Sequence, residues 1–146
     1  MTIRNMTIAD YEDIYRLWIH TPGMGLNTTD DSRAGIEAYL RRNPNTCFVA
    51  VSDGTIVGVI LAGHDGRRGF LHHTAVHPAV RRRGIAKRLV QSALDALARE
   101  GIHKVSLVVF SQNEDGNAFW ESIGFTKRED LTYRNQALTE LISIRT

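Results

Sequence analysis

Cysteine occurs once in this sequence of 146 residues, at Cys47. A single thiol excludes a disulfide framework and a thiolate-built metal cluster. Placed within the apolar run TCFVAV, it reads as a core thiol with no chemistry of its own. Proline is nearly as scarce, at Pro22, Pro44 and Pro78 only, and no linker, repeat or low-complexity segment divides the chain. No apolar run approaches the roughly 18 residues of a membrane-crossing helix. The opening MTIRNMTIADYED lacks the charged, apolar and cleavable parts of a secretory leader. A large excess of one charge is missing too: 18 basic and 16 acidic residues leave a net +2, unlike the broad basic face that a nucleic-acid backbone calls for. What remains is an ordinary globular composition, 42% hydrophobic and 23% charged, in one domain over residues 1–146. The expectation is a cytoplasmic enzyme or binding domain with no metal, membrane or nucleic-acid partner.

The apolar pattern predicts a mixed α/β chain. TIRNMT suits a short first strand, and Asp10 stands where it would cap a helix through YEDIYRLWIH, with Ile14, Leu17 and Trp18 as its apolar stripe. TPGMGLN is a loop, and a second helix runs from about Asp30 to Arg42, ending before Asn43-Pro44. CFVAVS and TIVGVILAG flank Asp53-Gly54, a tight-hairpin signal, and GFLHHTAVH is the next strand. From Gly84 to Glu100, residues Ile85, Ala86, Leu89, Val90, Ala93, Leu94 and Leu97 recur on one helical face, and Gly101 is placed to end that helix. KVSLVVF reads as a strand covered on both faces, and NEDGNAFWESIG as a short helix with Glu114 and Asp115 at its positive end. GFTKRE and LTYRN are candidates for two final strands. The strand–helix–strand unit from Phe70 to Phe110 should make its two strands parallel.

Positive charge concentrates in VHPAVRRRGIAKRL. Arg81, Arg82, Arg83, Lys87 and Arg88 lie within eight residues, and without them acidic residues outnumber basic ones. The run sits between a strand and the start of a helix, where open α/β sheets bind ligands. A helix N-terminus there offers unpaired amides and about half a positive charge. Gly84 and Ala86 let an anion approach those amides, and the cationic side chains add charge around it. This arrangement suits a pyrophosphate better than a solvated charge run or a nucleic-acid patch.

Arg81-x-x-Gly84-x-Ala86, five residues after Val76, resembles the acetyl-CoA signature of the GNAT superfamily of N-acetyltransferases. The resemblance extends over nearly the whole chain, including NEDGNAFWESIGF near its end. It implies an α/β (α+β) fold: a mixed, mostly antiparallel sheet whose central parallel pair splays to hold acyl-CoA, with helices on both faces. It implies that Thr74, Ala75 and Val76 pair with the pantetheine arm, and that Arg81, Arg82, Arg83, Gly84, Ile85, Ala86 and Lys87 form the pyrophosphate loop. Asn113 matches a family asparagine at the cofactor, although a plain helix cap is an equal reading. Asn113, Gly116 and Trp120 share one helical face by spacing, a face placed along the cofactor.

The implied reaction is direct transfer of an acetyl group from acetyl-CoA to a primary amine of an unidentified acceptor. A backbone N–H near Ala75 or Val76 is the expected oxyanion donor. The amine needs a proton acceptor, and His72 is the candidate, at a strand position where some members of the family carry glutamate; His73 is a second, less favoured one, and a strand histidine with no catalytic duty is an equal reading. His73 falls on the opposite face by alternation, and His73 and His77, about 13 Å apart on a strand, are no metal pair. Trp120 stands where many members have a tyrosine that protonates the departing thiolate; indole cannot do this, and Tyr133 is a conceivable substitute. That departure motivates a second reading, an acyl-CoA-binding sensor with little catalysis. The resemblance implies that the first helix pair and the loop between them shape the acceptor site; that region carries Trp18, His20, Met24, Leu26 and Asn27, with Asp30 and Asp31 able to attract an amine or to cap the second helix. Dimers are common among proteins of this kind, so a homodimer is compatible with the sequence.

Overall fold

Sequence periodicity becomes two buried faces of one sheet. A computed structural model describes residues 1–146. In chain order the elements are β1 (Thr2–Asn5), α1 (Tyr11–Ile19), β2 (Leu26–Asn27), α2 (Arg33–Arg42), β3 (Phe48–Ser52), β4 (Thr55–His64), β5 (Gly69–Val76), α3 (Ile85–Arg99), β6 (Val105–Ser106), α4 (Glu114–Ser122) and β7 (Ser143–Ile144). The main sheet has the order β1-β3-β4-β5-β6, antiparallel throughout except for the β5/β6 pair. The β3–β4 hairpin turns at Asp53 and Gly54, both left-handed (φ 50° and 76°), as the Asp-Gly signal predicts.

Alternate residues of the strands supply the two cores. On one face Phe48, Ala50, Ile60, Ala62 and Leu71 pack with the stripe Ile85, Leu89, Val90, Ala93 and Leu97 of α3. On the other, Cys47, Val49, Val59, Leu61 and Ala75 pack with Ile14, Leu17 and Trp18 of α1 and Ile36 and Leu40 of α2. Cys47 is the core thiol expected: its sulfur bonds the Ala62 backbone, and burial pushes its pKa up to about 12, so no thiolate forms.

Four expectations need correction. Asp10 does not cap α1; its buried carboxylate accepts from Arg4 at 2.8 and 2.9 Å and from the Thr7 amide at 2.9 Å. Neither Asp30 nor Asp31 caps α2, because Ser32 Oγ takes that place by accepting from the Gly35 amide. KVSLVVF is not covered on both faces: only Val105 and Ser106 are hydrogen-bonded into the sheet, and Val108 and Phe110 are 57% and 61% exposed. The strand lies at an open edge after it parts from β5, so only Val105 and Leu107 reach the α3 core. The segments GFTKRE and LTYRN form no strands, since that short edge offers them nothing to pair with. The chain instead returns to pair Ile144 with Leu26.

Candidate active site

β5 and β6 pair only at Gly69↔Val105 and Phe70↔Ser106. Beyond that, the β5 edge from Leu71 to Val76 faces a gap. Because the His77 amide donates to Val57 O, alternation along the strand turns the peptide groups of Thr74 and Val76 into this gap. Ala75 turns its own peptide towards β4 and buries its side chain against the α1 core. Of the three residues expected to pair with a ligand chain, Thr74 turns its peptide groups into the gap, Val76 turns its amide there while its carbonyl accepts from Arg81 Nε, and Ala75 forms the wall behind them.

The register of β5 against β4 jumps from Leu61↔His72 to Val59↔Ala75, so His73 and Thr74 together oppose the single Ile60. This is a β-bulge, and His73 has a left-handed backbone, φ 45°. It moves His73 off the opposite face predicted by simple alternation. The His72 and His73 rings lie 6.1 Å apart on the side of α1 and α2. His73 Nε2 lies 2.7 Å from Asp31 Oδ1, its ring is edge-on to Trp18 at 5.2 Å, and Trp18 Nε1 donates to His73 O at 3.1 Å. His72 lies tilted against Phe70 (4.7 Å) and meets the ring edge of Tyr39 (5.9 Å). Desolvation by these rings, then the charge of His73, pulls the His72 imidazole down to about 4, although its outer edge is open to solvent and water there tempers the shift.

The arginine run forms an exposed loop between β5 and α3. Arg81 is partly committed to structure: its Nε donates to Val76 O at 3.1 Å, closing the end of the strand. Arg82 and Gly84 are left-handed, φ 64° and 77°. The first backbone bond into α3 runs from the Arg88 amide to Gly84 O, which leaves the amides from Arg82 to Lys87 without protein partners. None of Arg81, Arg82, Arg83 and Lys87 forms an ion pair, and no acidic residue occupies the first turn of α3. The Ile85 side chain is buried in the core, so this residue can offer only its amide, and Ala86 is half-buried beside it. A Cβ added at Gly84 would meet nothing within 4 Å. Open space thus lies over a row of unpaired amides ringed by free cations, a fit for the phosphates of a nucleotide cofactor.

Asn113 caps α4, its Oδ1 accepting from the Gly116 amide at 2.9 Å. A Cβ at Gly116 would stand 2.5 Å from Asn113 Nδ2, so a larger residue there would displace the capping side chain. Trp120 is half-buried against the α3 core, edge-on to Phe119 (5.0 Å) and Phe125 (5.3 Å). Tyr133, raised as a substitute acid, is 68% exposed on an irregular stretch. Sequence reading missed the Asp31–His73 pair. Forty-two residues separate the partners, and the bulge that turns His73 inward carries no glycine or proline to announce it.

Comparison with known proteins bears on this arrangement. Residues 11–125 match the model of the "Acetyltransferase (GNAT) family". An acetyltransferase of Yersinia pestis is 30% identical over 131 residues, covering 90% of this chain and 92% of that protein. Another from Sodalis glossinidius is 30% identical over 140 residues, covering 96% and 97%. Among solved structures, Ard1 from Thermoplasma volcanium superposes with a TM-score of 0.76 at 24% identity, over 86% of this chain and 82% of its own. The aminoglycoside acetyltransferase AAC(6')-Iy, solved with a CoA-linked bisubstrate analogue, gives 0.70 at 21% identity over 93% and 98%.

Proposed function

Because this chain belongs to the GNAT family and is an acetyltransferase, we propose that it carries the acetyl group of acetyl-CoA directly to a primary amine. One observation carries the reading: the free edge of β5 at Thr74 and Val76 leads straight to the partnerless amides from Arg82 to Lys87. A pantetheine arm extended along the first would bring its pyrophosphate to the second. The CoA-linked analogue in AAC(6')-Iy supports the same ligand class here, through the shared fold.

The bound thioester supplies the activated acetyl group; the protein supplies position, polarity and a route for a proton. Thr74 and Val76 orient the arm by main-chain hydrogen bonds, and one of their N–H groups is aimed into the gap where negative charge would develop on oxygen. An alkyl amine of pKa about 10 arrives protonated and must lose a proton, which one of the adjacent histidines His72 and His73 would take. Trp120 holds α4 on the core and does no proton chemistry.

Calorimetric titration with acetyl-CoA, followed by thiol release from the saturated protein with spermidine, glycinamide, Nα-acetyl-lysinamide and neomycin, tests this. One-site binding and release with at least one amine are expected. Absence of binding overturns the reading, and binding without release from any of the four turns it into an acyl-CoA sensor.

A further inference from the structure

Resting on that reading, we propose that His73 is the base that removes the amine's proton and that Asp31 is its positioning residue. Both backbone and side chain of His73 are held. Trp18, fully buried, donates to its carbonyl, and its Nε2 faces Asp31 Oδ1 at 2.7 Å. A carboxylate can only accept, so Nε2 carries the hydrogen. Nδ1 is then the unprotonated nitrogen, and it has no partner within the protein, while the side chain keeps 16% of its surface open. Next along the strand is Thr74, whose peptide turns into the ligand gap.

Asp31 is built for this orientation. Its side chain is 4% exposed; Oδ2 accepts from the Asn27 amide at 2.8 Å, and Tyr11 Oη donates to its backbone carbonyl at 2.6 Å. Its carboxylate fixes the tautomer and stabilises the imidazolium formed when Nδ1 takes a proton. The titratable groups on this side are Asp30 and Asp31 before α2, Tyr11, Glu12 and Tyr15 from α1, Arg33 and Tyr39 from α2, and His72 from β5. Arg33 is the one arginine among them, and it is paired with Glu12 at 2.9 Å.

One proton leaves the ammonium for Nδ1 and passes on to water, and the freed lone pair forms the C–N bond to the acetyl carbon. The C–S bond breaks with its electron pair staying on sulfur. The new amide nitrogen gives up its second proton to the regenerated Nδ1, which delivers it to the thiolate, so amide, thiol and one proton in water are the products. A left-handed histidine costs about 1–2 kcal/mol, and such strain persists where the surroundings over-determine it.

Two variants separate this role from a merely structural tie between strand and loop. His73→Asn keeps a residue that tolerates left-handed backbone but removes the base. In Asp31→Asn the amide oxygen can still accept from Asn27, while its NH2 donates to Nε2 and drives the hydrogen to Nδ1. For the best of the four amines above, kcat/KM should fall about 100-fold or more in each variant, with acetyl-CoA affinity within about 2-fold of the parent. His73→Asn should also lose the acidic limb of the pH–rate profile. Ring 15N spectra should show Nε2–H in the parent and Nδ1–H in Asp31→Asn. A His73→Asn enzyme with the parent's rate and pH profile overturns the proposal, as does transfer of the whole loss to His72→Gln. Failure of the parent to bind acetyl-CoA would instead remove the acetyltransferase reading beneath it.

Discussion

His72 and His73 are adjacent in sequence and differ in what surrounds their rings. His73 faces a carboxylate; His72 faces Phe70 and Tyr39. The crowding of His72 makes the folded protein bind its proton more weakly than the unfolded chain does, with a pKa of about 4 against 6.5. Within that window the unfolded state holds more protons, so stability rises with pH there and is lost as pH falls from about 6.5 towards 4. Urea midpoints measured at neutral pH and near the lower end of the window should therefore drop less in His72→Gln than in the parent. Equal drops would show that water at the open edge of the ring cancels the desolvation. Strain adds a second residue-scale clue. Of the three non-glycine residues with positive φ, Asp53 makes a hairpin turn, while His73 and Arg82 both lie at the candidate site.

On the proposed reading one helix, α3, serves both stability and ligand binding, and its two ends should separate them. Gly84→Val puts a β-branched residue at φ 77° in space free of neighbours, so the fold should survive with a loss of about 1–2 kcal/mol. Calorimetry should show acetyl-CoA affinity reduced by at least about 10-fold, since the side chain stands over the amides. Leu89→Ala, fully buried against the sheet, should cost ~2–5 kcal/mol in denaturant unfolding and leave that affinity intact. An unchanged affinity in Gly84→Val would take the phosphates off this helix end. Such elements were legible because their signals are local: the apolar stripe from Ile85 to Leu97, the Asp53-Gly54 turn, the Arg-x-x-Gly-x-Ala loop. Pairing between distant segments was not. KVSLVVF looks the same whether one or both of its faces are covered, and the early parting of β5 and β6 decided that. The Asp31–His73 bond likewise depends on a bulge set by the register of β4, which neither residue's neighbours encode.

Across the whole molecule, charge is distributed so that one end of the sheet attracts anions. The net +2 is small, yet five cations cluster at residues 81 to 88 and the rest of the chain is net acidic. The acidic groups nearest the candidate base, Asp30 and Asp31, lie on the side of α1 and α2, away from the arginine loop. On the proposed reading, a molecule polarised in this way would draw phosphates to the loop and a cationic amine towards the α1/α2 side. Exposed charges act through a Debye length of about 10 Å at 0.1 M salt and about 3 Å at 1 M. Acetyl-CoA affinity should therefore weaken several-fold as salt rises across that range. A triple variant, Arg82→Gly, Arg83→Ala and Lys87→Ala, should bind more weakly at low salt and show a flatter dependence. Glycine at position 82 keeps the left-handed backbone, so this variant removes charge without disturbing the amides. Two titration series, parent and variant, give the contrast. Parallel salt slopes would mean that the amides of α3 alone hold the phosphates and that the cations play no part in capture.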